Sequence, residues 1–388
     1  MVKHISYNLI FLTLLMLCPG PALFPAGQPE SSPQKTSFIR CEKNPDWLLS
    51  MLRPVKKENR DFLLMQSYGN LDNRCWIYDQ ALAVFVLTAL KEREKAKKIL
   101  DTLAYIRNDD GSFYFSYLIS TLEPTSQRKY TGSIAWVVMA INFYREMTGD
   151  TSYRPLAVKI LKWLASQQVT EKNDPRRGGL SLGTRDDLFS MEHNIDSYSA
   201  FRYSGIKSYK KRAKAIKKFI LRHLYHKEQR RFLTGYLDNS KYLDCQSWAV
   251  LAFGKKYAHV LEFAERHFLV EDGKIGSTSG IRGFFERNAE NAPVWSEGTA
   301  GAALAYYFIK DKKKGDSFHR EIEKMAGPQG GIRYATENDY EFSISPSIAG
   351  TAWFIFYEMK LNPFKIGRKT KRSLNKYKKK HGASSPEK

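Results

Sequence analysis

Six times along this 388-residue chain, an apolar segment of helical length, rich in alanine and aromatic residues, follows a polar or acidic start. The segments are Tyr78–Leu90, Thr131–Met147, Glu192–Tyr203, Asp244–Phe253, Trp295–Ile309 and Ser345–Met359. They recur roughly every fifty to sixty residues, the signature of one supersecondary unit repeated. Charged, amphipathic segments lie between them. Lys91–Ile106, Tyr153–Gln168 and Ser208–Tyr225 are the clearest, and Lys255–Phe268, Asp316–Ala326 and Asn44–Leu52 supply the rest. In the third, Ala213, Ile216, Ile220 and Leu224 recur at helical spacing while Lys210, Lys211, Lys214, Lys217 and Lys218 take other faces. That is one covered stripe and one wet side. The apolar segments are hydrophobic nearly all round and must be buried. Six buried helices inside six amphipathic ones predict an all-α fold, an (α/α)6 toroid over residues 44–364. A linear solenoid would meet the same periodicity; the number six favours the closed ring.

Connections from apolar to charged segments are short, as at Leu90–Lys91, and those running back are long. The long loops therefore share one end of the ring, and long loops usually carry function. They hold turn signals at Asp110-Gly111, Gly178-Gly179, Gly235, Asp272-Gly273 and Gly330-Gly331. Small β-hairpins are expected around Gly111–Phe115 and Gly331–Tyr334.

Acids gather where the apolar helices begin: Asp79, Glu192, Asp196, Asp244 and Glu297. A single acid in a first helical turn is ordinarily a cap or a response to the helix dipole. Five on four of six inner helices make capping a poor account of the set. Glycoside hydrolysis needs two carboxyl groups flanking the scissile bond. Glu192 and Asp196, four residues apart, share a helical face, so one can hold the other protonated. In a six-membered ring the first and fourth inner helices face each other, which sets Asp79 against Asp244. The expected arrangement is Glu192 as proton donor with Asp79 or Asp244 as base, and Asp196 and Glu297 as substitutes. Trp76, Tyr78, Trp248, Trp295 and Tyr340 are candidates to stack on or bond to a sugar, although tryptophans inside helices, Trp136, Trp248 and Trp353, are more simply core. His193 stands at an inner start as base or hydrogen-bonded spectator. Arg282, with Arg74, Arg177 and Arg333, could hold an anionic group on the substrate. Glu192, His193 and Asp196 do not amount to a metal site, no Cys-x-x-Cys pair is present, and no glycine loop cradles phosphate, so neither metal nor cofactor is expected.

The motifs YDQAL at 78–82, MEHNID at 191–196, LDCQSW at 243–248, VWSEGTAG at 294–301 and SIAGTAWFIF at 347–356 resemble the six-hairpin glycosidase superfamily. The resemblance implies a cleft at the inner-helix N-termini with carboxylates as general acid and base. Many members of that superfamily are glycoside hydrolases, others polysaccharide lyases or sugar epimerases. The epimerase-like members use histidines as acid and base, and here His193 alone is well placed.

The ends differ from the ring. Lys3, His4 and the apolar run Leu9–Cys18, followed by Ala22 and Ala26, read as a secretory signal over residues 1–26,. This predicts an exported protein, periplasmic or extracellular, with an uncleaved anchor as the alternative. Residues 27–43 form an extension. The tail, 365–388, has ten Lys or Arg against the single acid Glu387 and reads as disordered,. Net charge is +22, which favours polyanions. The expected partner is an oligo- or polysaccharide, and an anionic one suits the charge. The tail is suited to an anionic envelope surface. A nucleic-acid role is not expected, and nothing in the sequence bears on oligomeric state. Of Cys18, Cys41, Cys75 and Cys245, a Cys41–Cys75 bridge is the pairing expected after export,. The functional expectation is an exported glycoside hydrolase, with a lyase on an anionic glycan or a non-catalytic carbohydrate-binding scaffold as alternatives.

Overall fold

The computed structural model describes residues 43–380, other than 72, 185, 288–291 and 340–341. Helix α1 (Lys43–Ser50) precedes the first apolar helix, α2 (Ile77–Leu90). Outer and inner helices then alternate: α3 (Arg93–Ile106), α4 (Thr131–Thr148), α5 (Arg154–Ser166), α6 (Met191–Tyr203), α7 (Lys207–Phe219), α8 (Leu243–Phe253), α9 (Val260–Phe268), α10 (Ser296–Ile309), α11 (Lys312–Glu323) and α12 (Ile348–Met359). The six inner helices are the six apolar segments, within a few residues. All of α2 except Tyr78 and Leu90 is buried. In α7 burial is confined to Ala213, Ile216 and Phe219, and the lysines face outward.

The ring closes. α2 packs on α4, α4 on α6, α6 on α8, α8 on α10, α10 on α12, and α12 returns to α2. Each inner helix also packs on the outer helix that follows it, and α1 covers α12 to complete the last hairpin. Closure brings aromatic rings from α4, α8 and α12 onto the axis. Trp248 and Trp353 stack at 5.8 Å, with Trp136 edge-on to both at 5.9 and 6.0 Å. Phe364, in the segment after α12, seals the C-terminal end of the inner helices, 5.5 Å from Trp136 and 5.3 Å from Trp248.

The long connections carry all the strands among the described residues: β1 (Leu52–Lys57) with β2 (Arg60–Met65); β3 (Arg74–Trp76), β4 (Ser116–Leu118) and β5 (Pro124–Ser126); β6 (Tyr225–His226) with β7 (Arg231–Phe232); and β8 (Leu269–Ile275) with β9 (Thr278–Phe284). Three local expectations are corrected. The strand near Gly111 begins at Ser116, and Gly331–Tyr334 makes isolated bridges at Ile332 and Arg333 rather than a hairpin. Gly273 lies inside β8, where a Cβ would stand 2.7 Å from Val294, so close packing and not a turn requires it. The β1–β2 turn is Glu58-Asn59, both left-handed (φ 50° and 58°), the backbone a two-residue hairpin needs.

A second repeat runs through the ring in polar residues. The fourth residue of five inner helices, Gln80, Asn194, Gln246, Thr299 and Thr351, reaches back to the loop in front of its helix. Gln80 accepts from the Met65 N–H and donates to the Met65 carbonyl, both at 2.8 Å. Asn194 does the same with Leu180 (2.8 and 3.0 Å) and Gln246 with Phe232 (2.9 Å each). Thr299 accepts from the Phe284 N–H at 2.9 Å while its hydroxyl donates to the Trp295 carbonyl at 2.7 Å, and Thr351 accepts from Ile332. Each buried side chain supplies partners to backbone that would otherwise be orphaned, so the mouth loops are fastened to the helices that carry the acids. In α4 the position is Ile134, which cannot make such a bond.

The segment after α12 departs from expectation. Residues 368–380 form helix α13 (Arg368–Lys380), packed on α12, with Thr370 and Leu374 buried and Tyr377 packed against the core. Those three share one face at i, i+4 and i+7, a stripe too narrow to register among so many lysines. Cys75 is a free, buried thiol, and the expected bridge to Cys41 falls on a residue outside those described. Cys41, the signal-like segment and the last eight residues lie outside the described residues.

Candidate active site

The inner helices all begin at the loop-bearing end, and their first turns surround a cavity of about 230 Å³. Glu192, Asp244 and Glu297 occupy the second position of α6, α8 and α10, and Asp79 the third of α2. Asp196 sits one turn further along α6. All five line this cavity. None caps its helix: among the described residues, no backbone N–H donates to any of the five. Ser190 caps α6, accepting from His193, and neither α2, α8 nor α10 has a side-chain cap. The acids are thus surplus to helix formation.

Burial dominates their electrostatics. Removal from water disfavours the charged form and pushes Asp79 and Glu192 up to about 7 and Glu297 to about 8. Asp196 and Asp244 are held well above the carboxylate range by burial and then by their acidic neighbours: Glu192 and Asp244 act on Asp196, while Glu192, Glu297 and Glu286 act on Asp244. Hydroxyls of Ser67, Tyr78 and Tyr334 moderate the effect. The Ser67 Oγ, which accepts from the Trp76 N–H at 2.9 Å, donates toward Asp79. The Tyr78 hydroxyl donates to Glu297 Oε1 at 2.6 Å and accepts from Trp353 Nε1 at 2.7 Å. Carboxyls poised near neutrality can give or take a proton at working pH.

Other expected site residues gather here as well. Trp76, Tyr78, His193, Trp248 and Trp295 line the cavity. Trp248 is packed on the axis and also forms part of the cavity lining with Trp136. Burial lowers His193 to about 4, so the ring is neutral. Its Nδ1 lies 3.3 Å from the Leu182 carbonyl, which can only accept, so Nδ1 carries the proton and Nε2 is left as an acceptor,. Gly132 on α4 makes room for this: a Cβ there would stand 2.6 Å from His193 and 3.0 Å from Asp196.

Arg282 is a correction. It lies on β9, bonded to Glu271 Oε2 at 2.7 Å and stacked over Phe318, away from the cavity lining. A charge on a two-stranded ribbon finds its partner on the facing strand, and sequence position alone does not reveal which face it takes. Tyr340 lies outside the described residues. Residues not foreseen are Glu286, Tyr68, Tyr334 and Phe342, all in long loops, and Cys245 beside Asp244. Burial pushes the Cys245 thiol well up, which leaves it no nucleophile. Glu286 stands two residues past the end of β9, on irregular backbone. The tyrosines belong to irregular backbone with no periodicity to read.

A closed ring of six helical hairpins is an (α/α)6 toroid. No protein-family model and no curated protein matches the sequence. Among solved structures, the chain is similar to a wild-type glycosidase (TM-score 0.61, 7% identity, 83% of this chain and 96% of the other). It is also similar to a D-mannose isomerase (0.60, 11%, 82% and 95%). A third is a family 76 glycoside hydrolase from a bovine Bacteroides thetaiotaomicron strain (0.55, 10%, 83% and 76%). At these identities the likeness is one of fold, and function must come from the site.

Proposed function

We propose that this chain is a carbohydrate-active enzyme, specifically a glycoside hydrolase. The observation that carries the reading is the convergence of carboxyl groups from four inner helices on one aromatic-walled cavity, none of them committed to capping. Glu192, protonated near neutrality and half-exposed to the cavity, gives its proton to the glycosidic oxygen. α2 and α8 stand opposite each other in the ring order, so Asp79 and Asp244 face one another across the sugar. Asp79 is the more easily ionised of the two and serves as the base or nucleophile. Trp76, Trp248 and Trp295 offer flat faces to the ring.

Two observations favour hydrolysis over its rivals. A lyase on an anionic glycan needs a cation beside the substrate carboxylate, and no Lys or Arg lines the cavity among the described residues. Isomerisation or epimerisation through paired imidazoles needs a second histidine, and His193 is the one histidine among the described lining residues. Export is part of the proposal, resting on the basic start and the apolar run Leu9–Cys18. So is contact with an anionic envelope surface through the basic α13.

The test is a panel of oligosaccharides assayed for new reducing ends, for ultraviolet-absorbing unsaturated ends and for isomerised sugars. Reducing ends are expected alone. Asp79→Asn and Glu192→Gln should each lower the rate about a hundredfold or more. Wild-type rates in both variants would remove these assignments, and unsaturated ends would replace hydrolysis with elimination.

A further inference from the structure

The polar inventory of the cavity is one-sided. Its described lining contains six carboxyl groups, Asp79, Glu192, Asp196, Asp244, Glu286 and Glu297, and no Lys, Arg, Asn or Gln. The donors present are hydroxyls and indole N–H groups, and His193 adds an acceptor. This sits inside a chain of net charge +22, so the acidity belongs to the site and not to the protein at large. A ligand that offers donors would satisfy the unpaired oxygens of Asp196 and Asp244, and a cation among them would favour their ionised forms. A sugar carboxylate would add a seventh acid with no Lys or Arg in the described lining to neutralise it.

Asp196 gives the same answer independently. It is 1% exposed and lines the cavity. Neither of its carboxyl oxygens has a hydrogen-bond partner, and the Trp136 indole lies nearby but outside good geometry. A buried polar group with no partner is costly, and this one has the carboxyl groups of Glu192 and Asp244 as neighbours. An ammonium group supplies three donors and a compensating charge in a single small volume.

We propose that the cavity recognises a sugar bearing a free, protonated amine, with Asp196 and Asp244 around the ammonium and the tryptophans against the ring. This names the substrate class of the hydrolase site and rests on that reading for the step that follows binding. A linear polyamine carries the same ammonium without a ring to stack on Trp76 and Trp248, so the two sources can be separated.

The experiment is calorimetry on the full chain at about pH 7, where an α-amino group is still mostly protonated and Asp79 and Glu192 are within their own titration range. The ligands are glucosamine, N-acetylglucosamine, glucose and putrescine, followed by oligomers of the three sugars assayed for hydrolysis. Glucosamine should bind about tenfold or more tighter than each of the other three. Asp196→Asn should abolish that preference, as should Glu286→Gln in part, which keeps the test in force if the first variant does not fold. Absent glucosamine binding, or binding no tighter than that of N-acetylglucosamine or glucose, overturns the proposal. Putrescine binding as tightly as glucosamine overturns its sugar part. Hydrolysis of glucose oligomers without amine preference would leave the hydrolase reading standing and this inference refuted. Tight glucosamine binding with no oligomer cut would do the reverse.

Discussion

Tyr78 and Glu297, 219 residues apart in sequence, meet through a 2.6 Å hydrogen bond at the edge of the cavity. The tyrosine donates, since Trp353 already donates to its oxygen at 2.7 Å. A donor aimed at a carboxylate favours its ionised form, so Tyr78 works against the burial that raises Glu297 to about 8. Tyr78→Phe should therefore move the Glu297 titration further up, read by carboxyl-carbon NMR. It also leaves the Trp353 N–H without its acceptor, and a stability loss of about 1–3 kcal/mol in urea denaturation is expected. An unmoved titration would show that the bond does not govern Glu297.

Stability should depend on pH in a direction opposite to that set by salt-bridged acids. Asp79, Glu192 and Glu297 have folded pKa values of about 7, 7 and 8, against ordinary values of 3.8 and 4.5. Between those limits the folded state binds more protons than the unfolded chain, so stability falls as pH rises. The contribution is whole below about pH 4 and lost through about pH 7 to 8. Melting temperature should decline across that window, and Asp79→Asn with Glu297→Gln should flatten the decline. A profile unchanged by the double variant would mean that these groups do not hold their protons in the fold.

Gln246 bonds both backbone groups of Phe232 at 2.9 Å. Gln246→Leu keeps the volume and strands a buried N–H and a buried carbonyl, so a loss of about 2–4 kcal/mol is expected from chemical denaturation. The same change at Gln80, which holds Met65, should cost a similar amount. A loss below about 0.5 kcal/mol would mean that water reaches these groups and the fastening is not structural.

The ring was legible because its evidence is hydrophobicity, which repeats: Ala, Val and Trp all round α4 can only mean burial, and the lysines of α7 mark its wet side. The five acids were legible for the same reason, since each begins an apolar helix. Glu286 and Tyr334 were not, because they stand on irregular loops whose path is set by tertiary fastening. That fastening was itself in the sequence, at Gln80, Asn194, Gln246, Thr299 and Thr351, but it becomes visible only when the helices are aligned from their first residues. Arg282 fails differently: its loop does reach the mouth, yet Glu271 on the paired strand draws it outward.

α13 should be separable from the site. It packs on α12, Lys371 lies 3.7 Å from Glu146 near the end of α4, and the Thr370 hydroxyl donates to the Lys365 carbonyl. All of this is at the end sealed by Phe364, opposite the cavity. A chain ending at Gly367 loses nine of the ten basic residues counted from Lys365 onward. It should keep its sugar binding within about twofold, because exposed charges that far from the mouth are screened by salt. If α13 carries the envelope contact, the full chain should bind vesicles rich in anionic lipid at low ionic strength and leave them at high salt, while the shortened chain should not bind. Equal vesicle binding by both forms would assign the contact to the rest of the basic surface. A collapse of sugar binding on truncation would show that the sealed end supports the mouth through the tryptophan stack.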